Sequence, residues 1–221
     1  MTALGGNGND TFNFKQSPSA SGVLTLQGNN GADTFNYNSD LSGVVVNYGG
    51  DGADQFQFNT PVISGNLSIY TGNGNDDISF NTKTNGINLE ISDFLSVSDN
   101  FEFSSAAFNG DTGHVLVFGK VNTLGTGINE FVANNESGLI QAFDNTDTQI
   151  ETGPGTDLLS RNDDIWLYDT DTGYLYYDED ADQIMDDAIT IARVKNNNNP
   201  LDEDSLKSSD IIYDNNDSGL A

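Results

Sequence analysis

GGNGNDTFNF at residues 5–14 returns as GNNGADTFNY at 28–37, GGDGADQFQF at 49–58 and TGNGNDDISF at 71–80. The aspartates closing these turns, Asp10, Asp33, Asp54 and Asp76, are 23, 21 and 22 residues apart. A period in this range marks stacked supersecondary units, because one such unit cannot bury its apolar face alone. After each turn the residues alternate. Phe12/Phe14, Phe35/Tyr37, Phe56/Phe58 and Ile78/Phe80 fall on one side, with Asn, Gln or Ser between them. Period two is the pattern of a half-buried strand. A second apolar segment, opened by a glycine, follows in every repeat: Gly22-VLTL, Gly43-VVVNY, Gly65-NLSIY and Gly86-INLEI. One repeat therefore reads as turn, strand, loop, strand. The expected fold is all-β: a right-handed parallel β-solenoid of the β-roll or β-helix type with about 22 residues per coil.

Stacked coils place equivalent rings about 4.8 Å apart, so each ring packs on the one above and the one below. The second strand's register is less uniform. Leu24/Leu26 and Leu67/Ile69 agree, whereas Val45/Asn47 puts an asparagine inside unless that coil slips by one residue.

The turns carry the chemistry. Glycines let the backbone take positive φ and aim its carbonyls at a common point. Calcium is a hard cation that takes 6–8 oxygen ligands, and each turn offers carbonyls plus a carboxylate. An isolated aspartate in such a turn reads as a side-chain cap. Four in register change the weighing, because carboxylates about 4.8 Å apart repel by roughly 1 kcal/mol per pair even in water. A divalent ion between successive turns turns that repulsion into attraction. About three gaps are expected, pairing Asp10 with Asp33, Asp33 with Asp54, and Asp54 with Asp76. Carbonyls of Gly5, Asn7, Gly28, Asn30, Gly49, Asp51, Thr71 and Asn73 complete the expected shells. Asp99 lies 23 residues beyond Asp76 and is followed by Phe101 and Phe103, but its turn, FLSVSD, has no glycine. A fourth gap there is left open.

The pattern GGxGxDxUx, with U a large apolar residue, resembles the nonapeptide of the RTX (hemolysin-type) calcium-binding repeat family at 5–13, 28–36, 49–57 and 71–79. Asn29 replaces the second glycine, and Thr71 and Ile78 vary the last copy. The copies are not back to back. In tandem RTX rolls both turns of a coil carry the motif; here one turn does, which implies one column of ions down one edge. ISDFLSVSDNFEFSSAAF (91–108), the hairpin-like IWLYDTDTGYLYYDEDAD (165–182), AITIARV (188–194) and LKSSDIIY (206–213) are similar to segments that follow RTX arrays. The division expected is 1–92 as calcium-binding solenoid and 93–221 as a β-rich C-terminal cap, since an open solenoid end exposes strand edges. The resemblance implies a secreted, extracellular protein exported by type I secretion machinery under C-terminal guidance.

Composition narrows the partners. The net charge is −27, from 34 acidic against 7 basic residues. That leaves no Lys/Arg footprint for nucleic acid and disfavours an anionic membrane surface. Acidic chains are often disordered, but the regular apolar pattern argues for a native fold and confines disorder to the metal-free chain. There is no cysteine, hence no disulfide or thiolate site. No apolar run approaches the roughly 20 residues of a membrane helix. MTALGGNGND lacks the basic and apolar regions of an N-terminal signal peptide.

Several other features invite chemistry. Asp111-Thr112-Gly113 and Asp171-Thr172-Gly173 resemble the paired D-T-G of aspartic proteases, but the second falls in a hairpin turn and neither has an apolar strand-loop frame. His114 reads as structural, Trp166 as hairpin core rather than sugar platform. DEDAD (178–182) reads as solvated charge or a further calcium loop. The functional expectation is a non-enzymatic calcium-binding module that folds as it takes up the ion. The alternative is a glycan- or surface-recognition module of adhesin type, which would need an exposed aromatic or basic strip.

Overall fold

The computed structural model describes residues 1–15, 22–61, 63–108, 115–124, 128–133, 141–143, 165–178, 188–196, 199–201 and 206–214. They form strands and turns with one 3-10 segment, Ser208–Asp210, and no α-helix. The repeats give five strand pairs. These are β1 (Thr2–Asn7) with β2 (Thr11–Phe14), β3 (Val23–Asn30) with β4 (Thr34–Tyr37), and β5 (Val44–Asp51) with β6 (Gln55–Phe58). β7 (Asn66–Asn73) with β8 (Asp77–Phe80) and β9 (Leu89–Ile91) with β10 (Asn100–Ser104) complete the set. The remaining strands are β11 (Val115–Leu124), β12 (Ile128–Ala133), β13 (Gln141–Phe143), β14 (Ile165–Asp169), β15 (Tyr174–Asp178), β16 (Ile189–Asn196), β17 (Asn199–Pro200) and β18 (Ile211–Asp214).

The chain is a parallel β-solenoid. One sheet runs β1-β3-β5-β7-β9 and the other β2-β4-β6-β8-β10, so every repeat contributes one strand to each. The pairing follows the repeat: Phe12, Phe35, Phe56, Ile78 and Phe101 are successive partners, as are Phe14, Tyr37, Phe58, Phe80 and Phe103. Ring centroids in the second column are 5.1, 4.7, 4.8 and 5.2 Å apart, with the planes nearly parallel. Stacking is therefore set by the strand spacing itself. Opposite these rings the first sheet turns in Leu26, Val45, Leu67, Ile69, Leu89 and Ile91, which close a continuous core.

Asn47 does not slip outward. It keeps register between Leu26 and Ile69 and is buried. Its amide donates to the Tyr37 hydroxyl, which burial pushes strongly toward the neutral form. The phenol gives the misplaced amide a partner, and that is why the coil need not shift.

Both sheets continue past the repeats into the C-terminal strands. β16 pairs in parallel with β9 through Arg193↔Glu90 and Val194↔Ile91. β18 pairs in parallel with β10, bringing Ile211 beside Phe101 and Tyr213 beside Phe103. From β16 the first sheet goes on through β15, β14, β11, β12 and β13, with β17 on β16. Trp166 is buried against Phe103 at 4.1 Å and Tyr177 at 4.8 Å, so it is core. Its indole N–H donates to the Tyr213 hydroxyl at 3.2 Å. Asp171-Thr172-Gly173 forms the β14–β15 turn: Gly173 has φ 84° and donates its N–H to the Asp169 carbonyl at 2.7 Å. Asp111–Gly113, His114 and residues 179–182 lie outside the described residues.

Candidate metal centre

The turns joining the two sheets stack along one edge. Their second position has φ 113° at Gly6, 75° at Asn29, 120° at Gly50 and 106° at Gly72. Asparagine is among the few side chains that tolerate this left-handed region, so the departure at Asn29 keeps the turn. The side chains of Asn7, Asn30, Asp51 and Asn73 are exposed. Asn30 donates to Asn7 at 3.1 Å, and Asn73 donates to Asp51 at 2.8 Å. The carbonyls of Asn30, Asp51 and Asn73 each accept the N–H of Gly8, Gly31 and Gly52 in the coil before, at 2.8 Å in every case.

Asp10, Asp33, Asp54 and Asp76 point inward and form a ladder. Asp33 Oδ1 accepts the backbone N–H of Asp10 at 2.7 Å, Asp54 Oδ1 that of Asp33 at 2.7 Å, and Asp76 Oδ1 that of Asp54 at 2.8 Å. Asp99 extends it by accepting the Asp76 N–H at 3.4 Å. The gap the sequence left open is thus in line with the others. Asp33, Asp54 and Asp76 are 0 % exposed and Asp99 1 %.

Four of these carboxylates leave one oxygen bare. The Oδ2 atoms of Asp10, Asp33, Asp54 and Asp76 are buried and meet no hydrogen-bond donor. An ionised oxygen removed from water without a partner is strongly disfavoured, so such a group takes a proton or a cation. Burial, reinforced by neighbouring aspartates, pushes the Asp54 carboxyl up to about 6 and that of Asp76 up to about 7. Asp93 and Asp99 are raised as well, again chiefly by burial.

The first turn position shows what surrounds these bare oxygens. A Cβ at Gly5 would lie 2.6 Å from Asp10 Oδ2 and 2.8 Å from the Gly28 carbonyl oxygen. At Gly28 it would collide with Asp33 Oδ2 and the Gly49 carbonyl, and at Gly49 with Asp54 Oδ2 and the Thr71 carbonyl. A carboxylate oxygen and a carbonyl oxygen of the next coil therefore converge beside each glycine. Among the described residues no three acidic or imidazole side chains form a metal-holding group. Any ion in the lower gaps would depend on this pairing of carboxylate with carbonyl, which suits calcium's tolerance of mixed oxygen ligands. The donor set fits a hard cation.

Sequence reasoning passed over Asp93. It follows Thr71 by 22 residues, as Asp99 follows Asp76 by 23, so the period itself was the available signal. No family model, curated protein or solved structure matches the chain.

Proposed function

We propose that the protein is a calcium-binding module whose solenoid folds as it takes up the ion. The observation that carries this reading is the column of buried, unpartnered Oδ2 atoms on Asp10, Asp33, Asp54 and Asp76 beside next-coil carbonyl oxygens. Without a cation these charges oppose the stacking that the aromatic columns favour. With one, each gap gains an attraction that exists only when successive coils are in register, so binding energy becomes folding energy. Extracellular calcium modules bind at about 10⁻⁴–10⁻³ M. A chain of this kind stays open where calcium is scarce and closes outside the cell. The RTX resemblance supports a secreted location and type I export. Circular dichroism tests the coupling: coil in chelator, β signal restored by millimolar calcium. A cooperative fold that is indifferent to chelator sinks it.

A second reading, recognition of a glycan or surface, draws support from the outward face of the first sheet. There Tyr48 and Tyr70 stack at 4.8 Å, with Tyr48 39 % exposed, and Arg193 lies 5.7 Å over the Tyr174 ring. A glycan array read with and without calcium separates the two. Nothing in either reading calls for catalysis.

A further inference from the structure

Five asparagines in the chain stand directly before a glycine: Asn7, Asn30, Asn73, Asn85 and Asn109. Such a pair can modify itself, because a glycine, with no side chain to obstruct it, lets its backbone nitrogen reach back to the asparagine Cγ. Ring closure needs that nitrogen unencumbered and brought to near-attack distance. Asn109 lies outside the described residues. Of the other four pairs, three are held. Gly8 donates its N–H to the Asn30 carbonyl, Gly31 to that of Asp51 and Gly86 to that of Thr190, each at 2.8 Å.

Gly74 is different. Among the described residues its N–H meets no acceptor. The reason lies in the next coil. Lower down, the acceptor is always the residue in register with the one before the glycine: Asn30 for Asn7, Asp51 for Asn30, Asn73 for Asp51. Carried on from Ile69↔Ile91, that register puts Leu95 beside Asn73. The Leu95 carbonyl is already taken by the N–H groups of Ser98 and Asp99, at 2.9 and 2.7 Å, which close the glycine-free turn on itself. Asn73 and Gly74 are both exposed. A surface cavity of about 310 Å³, lined by Gly72, Asn73, Asp93, Leu95 and Asn196, admits water beside them. The Asn73 side chain is tethered to Asp51 at 2.8 Å much as Asn30 is to Asn7 at 3.1 Å, so it does not set this pair apart. The backbone nitrogen does.

We propose that Asn73-Gly74 is a self-modification site of the folded chain. The Gly74 nitrogen gives up its proton and bonds to Asn73 Cγ; the Cγ–Nδ2 bond breaks, and the amide leaves with that proton as ammonia. Water then adds to one carbonyl of the cyclic imide and opens it to aspartate or isoaspartate. No oxidant, cofactor or second protein takes part. The change is one-way, and it falls beside the ladder. Asn73 pairs with Asp51, and its carbonyl accepts the Gly52 N–H at 2.8 Å. Aspartate at this position sets a second carboxylate against Asp51 in place of the amide donor. Isoaspartate lengthens the backbone and breaks the pairing. The inference stands on the stacking of the coils and needs no metal.

Peptide mapping by mass spectrometry tests it on the full chain, aged in calcium at mildly alkaline pH, with circular dichroism to verify that the fold persists. Asn7 is the internal control, because Gly6-Asn7-Gly8-Asn9 and Gly72-Asn73-Gly74-Asn75 are the same four residues. Asn73 should convert at least about ten-fold faster than Asn7, Asn30 or Asn85, which react only when a coil opens. In denaturant, Asn7 and Asn73 should converge. Asn73→Gln, whose longer side chain closes the ring slowly, should remove the early product and keep the fold. Asn73 converting no faster than Asn7 in the folded chain overturns the proposal, and so does a lead for Asn73 that persists in denaturant. The calcium reading fails separately: a chain that folds without the ion shows the same order of rates in chelator.

Discussion

At the scale of single residues, the turn glycines differ in what they do, and substitutions should separate them. Gly28 is extended enough for a side chain but has no room, because its Cβ would strike Asp33 Oδ2 and the Gly49 carbonyl. Gly6 has open space and needs only a left-handed backbone, which Asn29 supplies one coil later. Gly28→Ala should therefore lower calcium affinity about ten-fold, an overpacking cost of ~1–3 kcal/mol, whereas Gly6→Asn should stay close to wild type in the same titration. Asp54 and Asp76 make a second prediction. Their carboxyls are raised in the folded chain, to about 6 and about 7, so the native state without metal holds protons that the unfolded chain has released. The stability they contribute is complete below the unfolded value near 4 and is lost as pH rises through 6–7. In chelator any residual β signal in circular dichroism should be stronger at pH 5 than at pH 8. With calcium present the trend should reverse, because the ion binds only the deprotonated carboxylate.

Among elements, the ladder is asymmetric. Asp54 accepts from Asp33 and donates to Asp76, so it borders two gaps, whereas Asp10 has no described acidic turn before it. Calorimetric titration should show Asp54→Asn losing more calcium affinity than Asp10→Asn; equal losses would argue that the turns act singly. The strands that build this ladder were legible in the sequence, because the period and the alternation of Phe12/Phe14 with their successors leave few other ways to bury the rings. Other parts were less so. Asn47 looked like a register error because alternation cannot see that the Tyr37 hydroxyl waits opposite. The Asp99 turn looked broken because it lacks glycine, yet Ser98 and Asp99 both donate to the Leu95 carbonyl, at 2.9 and 2.7 Å, and close it with ordinary backbone. Asp93 was passed over for a different reason: its turn, 93–99, has no glycine and is one residue longer than Thr71–Asp76, so only the period marks it.

For the whole molecule, the decisive pairings are those no local pattern announces. Glu90 meets Arg193 and Phe103 meets Tyr213 across more than a hundred residues, and together they cover the last coil on both sheets. A chain ended at residue 108 would leave β9 and β10 with open parallel edges, which invite pairing with other chains. Light scattering should show that truncated chain aggregating in calcium while the full chain stays dispersed, and more so as calcium rises and orders the uncovered edge. One side chain sits where the two halves meet. Trp166 is the chain's one tryptophan, wedged between Phe103 of the solenoid and Tyr177 of the C-terminal strands, with its N–H on Tyr213. The molecule accordingly carries its own fluorophore at its seam: emission near the blue limit reports a closed junction, a red shift reports water reaching the indole, and no label need be attached to watch it close.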